Sequence, residues 1–221
     1  MIDEPKKGEI LSFKILLLGD TSVGKSSFIL RFCDDKFEED SLTTIGLDQK
    51  NKFVKIEDKK IQLNIWDTAG QERFKSLAKN IIKGADGIVL MYDMSNYNSF
   101  KAIKTWIKNI KESIDITKVG IVIVGNKCDL PEDEIKVDKE IKDDFEKEHN
   151  MKIIEASAKN SINVNDTFLV LIKKMIELDL GKKKSDDDEE GPQKLRKSKT
   201  GKEKKNNNWC LGGNKHKKFN D

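Results

Sequence analysis

Apolar residues recur along this chain with two spacings, and each spacing marks a kind of element. Ser12–Leu18 reads SFKILLL and ends at Gly19, which predicts a strand. Ser26–Cys33 (SSFILRFC) places apolar residues at helical spacing, and the polar, acidic stretch 34–44 reads as a loop. Lys52–Glu57 and Lys60–Trp66 alternate apolar and polar residues around Asp58-Lys59, the pattern of an antiparallel hairpin. Gly87–Asp93 and Val119–Val124 are nearly continuous apolar runs, as in strands buried on both faces of a parallel sheet. Lys152–Glu155 reads as a further short strand.

Helical patterns fill the intervals. Asn98–Ile114 sets Phe100, Ile103, Ile107, Ile110 and Ile114 three or four apart. Asp138–Glu148 is a charged surface helix carrying Ile141 and Phe145, and Val164–Leu178 carries Phe168, Leu171, Ile172, Met175 and Ile176. The order β-α-β-β-α-β-α-β-α-β-α implies a mostly parallel sheet covered on both faces, with ligands at the carboxyl ends of its strands. From Gly181 the apolar period stops, and charge blocks with an asparagine run replace it. Such a segment cannot bury enough surface to offset its ordering entropy, so disorder is expected there. The expected divisions are a flexible start at 1–10, one domain at 11–180 and a basic tail at 181–221.

Charge sharpens that division. From Gly181 onward 13 Lys/Arg face 7 Asp/Glu, so the tail carries +6 and residues 1–180 carry −3 within a chain total of +3. An acidic body argues against nucleic-acid binding, whereas the tail suits an anionic lipid surface or is simply a solvated lysine-rich end. Cys33, Cys128 and Cys210 are far apart and odd in number, which excludes a disulfide framework and zinc spacing. With no signal-peptide pattern after Met1 and no glycine at position 2, a cytoplasmic protein is expected.

The chemistry begins at Gly19-Asp20-Thr21-Ser22-Val23-Gly24-Lys25-Ser26, which matches G-x-x-x-x-G-K-[ST] between a strand and a helix. Its glycines let backbone N–H groups face phosphates at the positive end of a helix. Asp20, Thr21, Ser22, Val23 and Gly24, with Lys25, Ser26 and Ser27 opening the helix, are assigned to nucleotide. Lys25 reaches the β- and γ-phosphates, and the Ser26 hydroxyl ligates magnesium. The expected fold is therefore α/β, of P-loop NTPase type: a six-stranded, mostly parallel sheet with one antiparallel strand and helices on both faces.

The loop alone does not separate ATP from GTP. Asn126-Lys127-Cys128-Asp129 follows the buried strand ending at Val124. Guanine presents a ring N–H beside an exocyclic amine, and the Asp129 carboxylate can accept both. Adenine lacks that donor pair and would leave the carboxylate uncompensated. Asp67-Thr68-Ala69-Gly70-Gln71 follows another strand. Asp67 there can hold a magnesium-bound water, Gly70 lets a backbone N–H approach a γ-phosphate, and Gln71 can orient the attacking water. Taken by itself, Gln71 would read as a surface glutamine.

These pieces together resemble the Ras superfamily, and within it the Rab family. The resemblance runs from about Phe13 to Ile176 and rests on GDTSVGKS, TTIGLD, WDTAGQERF, LMYDMS, GNKCD and EASAK. It implies a switch that binds GTP and GDP with Mg2+ and hydrolyses GTP slowly, used in vesicle transport. It implies that Thr44 completes the magnesium site, with Ser26 and Asp67, and touches the γ-phosphate. Phe37 would flank the guanine, and Ser157, Ala158 and Lys159 would form the loop whose Ala158 N–H meets the guanine carbonyl. Segments 37–48 and 70–82 would be the switches, read by exchange factors, GTPase-activating proteins and effectors, and a monomer is expected. In this class an arginine supplied by a partner accelerates turnover by roughly 10³–10⁵.

The chain departs from the family at several points. An effector-facing aromatic trio would here be Gln49, Trp66 and Ile81, of which only Trp66 keeps its ring. Thr21 stands where Ras proteins keep glycine and Rabs often keep serine; it is compatible with hydrolysis, though crowding at the γ-phosphate would slow turnover. The end, HKKFND, is no C-a-a-X box, and Cys210 lies eleven residues before the last. An unmodified thiol, a palmitoylated one and a processed tail all stay open. That departure motivates a second reading, a GTP-binding scaffold with little hydrolysis acting in soluble complexes.

Overall fold

The computed structural model describes residues 10–39, 47–56, 58–68 and 81–189. Strands β1 (Leu11–Gly19), β2 (Leu47–Ile56), β3 (Lys59–Thr68), β4 (Gly87–Asp93), β5 (Gly120–Asn126) and β6 (Ile153–Glu155) form one sheet in the order β2-β3-β1-β4-β5-β6. Only β2 runs antiparallel to its neighbour, with Gln49 opposite Trp66 and Ile56 opposite Lys59. The other pairings are parallel. The helices are α1 (Lys25–Asp34), α2 (Tyr97–Ser113), α3 (Lys139–His149) and α4 (Val164–Glu189). The expected helix between β3 and β4 falls outside the described residues except for helical Ile81 and Ile82.

The continuous apolar runs of the middle strands are explained by burial on both faces. Alternate residues feed separate cores. Ile15, Leu17, Val89, Met91, Val122 and Val124 pack with Phe28, Phe32, Phe168 and Leu171 of α1 and α4. Leu16, Leu18, Ile88, Leu90 and Ile123 pack with Phe100, Ile103, Trp106 and Phe145 of α2 and α3. Side chains from successive strand residues point to opposite faces, so one apolar run serves two cores. Phe32 stacks on Phe168 with ring centroids 3.7 Å apart, joining α1 to α4.

Two elements run five or more residues past their expected bounds. β2 begins at Leu47, five residues before the alternating pattern. As an edge strand it is held by the backbone ladder to β3, which needs no apolar side chains, and Lys52 lays its amine over the Phe32 ring at 4.3 Å. α4 runs on to Glu189, past the boundary expected at 180.

Candidate functional site

The carboxyl ends of β1, β3, β4 and β5 converge on one rim. β1 ends at Gly19, and the chain turns through Ser22, whose φ is 65°, into α1. Gly24 has φ 92°, and a Cβ there would lie 2.4 Å from Asn126 Nδ2, so only glycine fits this close approach. The buried Lys25 folds back across the loop, its Nζ donating to Gly19 O at 2.7 Å and Asp20 O at 2.9 Å. Its charge is thereby placed at the open N-terminus of α1, where backbone N–H groups favour an anion. Ser26 Oγ donates to Asp67 Oδ2, joining the first turn of α1 to the end of β3. A hydroxyl and a carboxylate are hard oxygen donors, and few protein ligands suit Mg2+, which keeps phosphate and water oxygens. The donor set fits that ion; among the described residues no cluster of three His, Cys, Asp or Glu could hold a metal.

The second half of the rim is built around Asn126. Its Nδ2 donates to Val23 O at 2.9 Å, and its Oδ1 accepts from Ala158 N at 3.1 Å. One buried amide therefore ties the phosphate loop, the end of β5 and the loop after β6 together. Lys127 adopts left-handed backbone, φ 68°, and its Nζ lies 2.6 Å from Asp93 Oδ2 at the end of β4. Cys128 N donates to Ala156 O at 3.0 Å, and Ser157 pairs with Ile162 through two 3.0 Å bonds. These contacts leave the Asp129 carboxylate half-buried at the rim. Burial, then the Asp129 and Glu155 charges, push the Cys128 thiol above its ordinary value, so its thiolate fraction at neutral pH is below that of a free cysteine.

A family model described as the Ras family matches residues 14–177. Ras-related protein Rab-13 of Mesocricetus auratus is 41% identical over 201 residues, covering 91% of this chain and 96% of that protein. Ras-related protein Rab-8B of Bos taurus is 42% identical over 179 residues, covering 81% and 85%. GTP-binding protein YPTM1 of Zea mays is 43% identical over 159 residues, covering 72% and 76%. The chain belongs to the Ras family, as a Rab-type small GTPase.

In this Rab-type GTPase the structure brings together Asp20 through Ser27, Asp67, Asn126, Lys127, Asp129 and Ser157 through Lys159. Phe37 is half-buried against the α1–α4 core, beyond the end of α1. Thr44, Gly70 and Gln71 lie outside the described residues. The departures cluster too. Lys14 Nζ sits 5.5 Å from the Trp66 ring centre and donates to Ile81 O at 3.2 Å, while Gln49 faces Trp66 across the ladder.

Four residues of the rim escaped the sequence reading. Asp93 anchors Lys127 and accepts from Ser95 N at 2.8 Å. Trp106 of α2 donates from Nε1 to Asp20 Oδ1 at 3.4 Å. Thr68 Oγ1 donates to Leu17 O at 2.6 Å, fixing where β3 ends. Arg31 of α1 donates from Nε to Ala158 O at 2.9 Å. Asp93 had a readable signal, an acid closing the apolar run GIVLMYD. The other three sit inside helix or motif patterns that already had an explanation.

Proposed function

We infer that this Rab-type GTPase cycles between GTP-bound and GDP-bound forms with Mg2+ held through Ser26, Asp67 and Thr44. The observation that carries the reading is the Asn126 side chain, which bridges Val23 of the phosphate loop and Ala158 of the base loop. It fixes a purine-recognising edge against a phosphate-binding turn, so that one molecule meets both Asp129 and Lys25. Bound magnesium supplies charge neutralisation at the β- and γ-oxygens. Lys25 adds a second cation there, Asp67 and Ser26 present the oxygens, and Gln71 orients the water. Segments 37–48 and 70–82 respond to the γ-phosphate and are read by exchange factors, GTPase-activating proteins and effectors in vesicle transport. The second reading, a scaffold with little hydrolysis, is not favoured by relatives of GTPase type.

Competition titration of the purified, magnesium-supplied chain tests the nucleotide. GTP and GDP should displace a fluorescent GDP, and ATP should fail at comparable concentration; equal competition by ATP would remove the role given to Asp129. Gln71→Leu should bind as the parent does and hydrolyse more slowly in the presence of an activating partner. The basic tail is proposed to hold the protein to the cytosolic face of endomembranes, with or without a lipid on Cys210. Among the described residues no helix is long and apolar enough to cross a membrane.

A further inference from the structure

The chain leaves α1 at Asp35, in left-handed backbone with φ 53°, and runs through Phe37 to Glu39. Two side chains join this short segment to the loop 157–159 across the purine side of the site. Arg31, in the last turn of α1, spreads its guanidinium between them. Nε donates to Ala158 O at 2.9 Å and one terminal nitrogen donates to Lys159 O at 3.0 Å. The other terminal nitrogen donates to Asp35 O at 2.9 Å and Asp35 Oδ1 at 3.0 Å. Farther out, Lys159 Nζ meets Glu39 Oε1 at 2.7 Å.

The two contacts differ in their surroundings. The Arg31 side chain is 15% exposed and its bond to Ala158 O is partly buried, so that bond is poorly screened by salt, while its bonds to Lys159 O and Asp35 lie at the surface. The Lys159 and Glu39 side chains are 53% and 76% exposed, so their attraction is modest and falls as ionic strength rises. The hydrogen bond from Lys159 holds the Glu39 carboxyl below its ordinary value, and the same bond raises the Lys159 ammonium. Both partners thus give the same direction.

We propose that Arg31 and the Glu39–Lys159 pair form a staple between the Phe37 segment and the base loop, and that it sets how fast the bound nucleotide leaves. This rests on the guanine-nucleotide reading above. A purine held between Phe37 and the loop 157–159 escapes when those walls part, and the staple resists that parting. Arg31 and Glu39 are positioning residues, since neither is assigned a contact with the nucleotide. Arg31 supplies a fork that lysine cannot reproduce, because it reaches two carbonyls of one loop and two oxygens of Asp35 at once. Glu39 supplies a screened contact that makes release depend on ionic strength.

The experiment loads the full chain with N-methylanthraniloyl-GDP and magnesium, then chases with unlabelled GDP at low and high salt. The parent should release faster as salt rises. Glu39→Gln should release about two- to fivefold faster than the parent at low salt and lose most of the salt dependence. Arg31→Lys should release about tenfold faster at every salt concentration. A residue that only stabilised the fold would leave the salt profile of release unmoved. Glu39 is exposed, so its variant remains informative even where the Arg31 variant folds poorly. A parent that loads normally, with a Glu39→Gln variant that keeps the parental rate and salt profile, overturns the staple alone. A parent that loads no guanine nucleotide overturns the nucleotide reading and the staple with it.

Discussion

Asn126 shows how much one side chain carries at this rim. It is 2% exposed, and both ends of its amide are bonded to main-chain atoms of other loops. Asn126→Ala leaves Val23 O and the Ala158 N–H without that partner, and each buried loss costs about 1–3 kcal/mol. The expected result is a loss of about 3 kcal/mol and a melting point lower by roughly 10 °C, with GDP affinity reduced more than tenfold. Calorimetry and fluorescent-GDP titration read both; an unchanged melting curve would show that the bridge is idle. A second residue-scale expectation concerns the thiols. Burial raises the Cys33 thiol, and burial with the Asp129 charge raises Cys128, so the thiolate fraction of each is below that of a free cysteine at neutral pH. In a Cys210→Ser background, Ellman's reagent should react slowly at pH 8. Its rate should still be climbing with pH above about 9.5, where a free thiol has largely levelled off. A plateau at or below that pH would refute the direction of both shifts.

Elements begin where a cap allows them to. α2 starts after Asn96, whose side chain accepts from Asn98 N and Ser99 N. That satisfies two of the donors that every helix leaves open at its start. Asn96→Ala should therefore cost about 1 kcal/mol, seen as a melting-point drop of a few degrees with nucleotide affinity untouched. An affinity loss equal to that of Asn126→Ala would mean that α2 positions the site directly. At this scale the sequence was most readable where apolar periodicity was strongest. β4 occupies Gly87–Asp93 as the apolar run required, and α3 (Lys139–His149) lies one residue from the charged helix expected at Asp138–Glu148, with Asp138 as its cap. The start of β2 was not readable, because Asp48, Gln49, Lys50 and Asn51 are held by main-chain pairing to β3 and by polar side-chain contacts such as Lys50 to Asp34, neither of which leaves an apolar pattern. Within the site, the residues of contiguous motifs were legible. Arg31, Thr68 and Trp106 were not, since each acts on a loop that is remote in sequence, and no local pattern encodes a hydrogen bond across 127 or 51 or 86 positions.

At the scale of the whole molecule, the apolar clusters and the excess of basic residues occupy different stretches of the chain. Among the described residues both apolar clusters are complete by Ile176, on opposite faces of one sheet. Residues 190–221 hold 10 Lys/Arg against 3 Asp/Glu, a charge of +7, which leaves −4 on the rest of the chain. A body of that sign is repelled by an anionic bilayer, so any attraction to one has to come from the end. Each basic residue that reaches such a surface contributes about 1 kcal/mol, and salt weakens the sum within a Debye length. A chain ending at Glu189 should accordingly melt at the parental temperature and bind GDP with the parental affinity. In flotation with phosphatidylcholine–phosphatidylserine vesicles, the full chain should rise with the lipid at low salt and stay behind at high salt. The shortened chain should stay behind at both. Equal flotation of the two chains would place the lipid contact on the body, against its own charge. A shortened chain that melts lower would instead mean that the tail belongs to the fold.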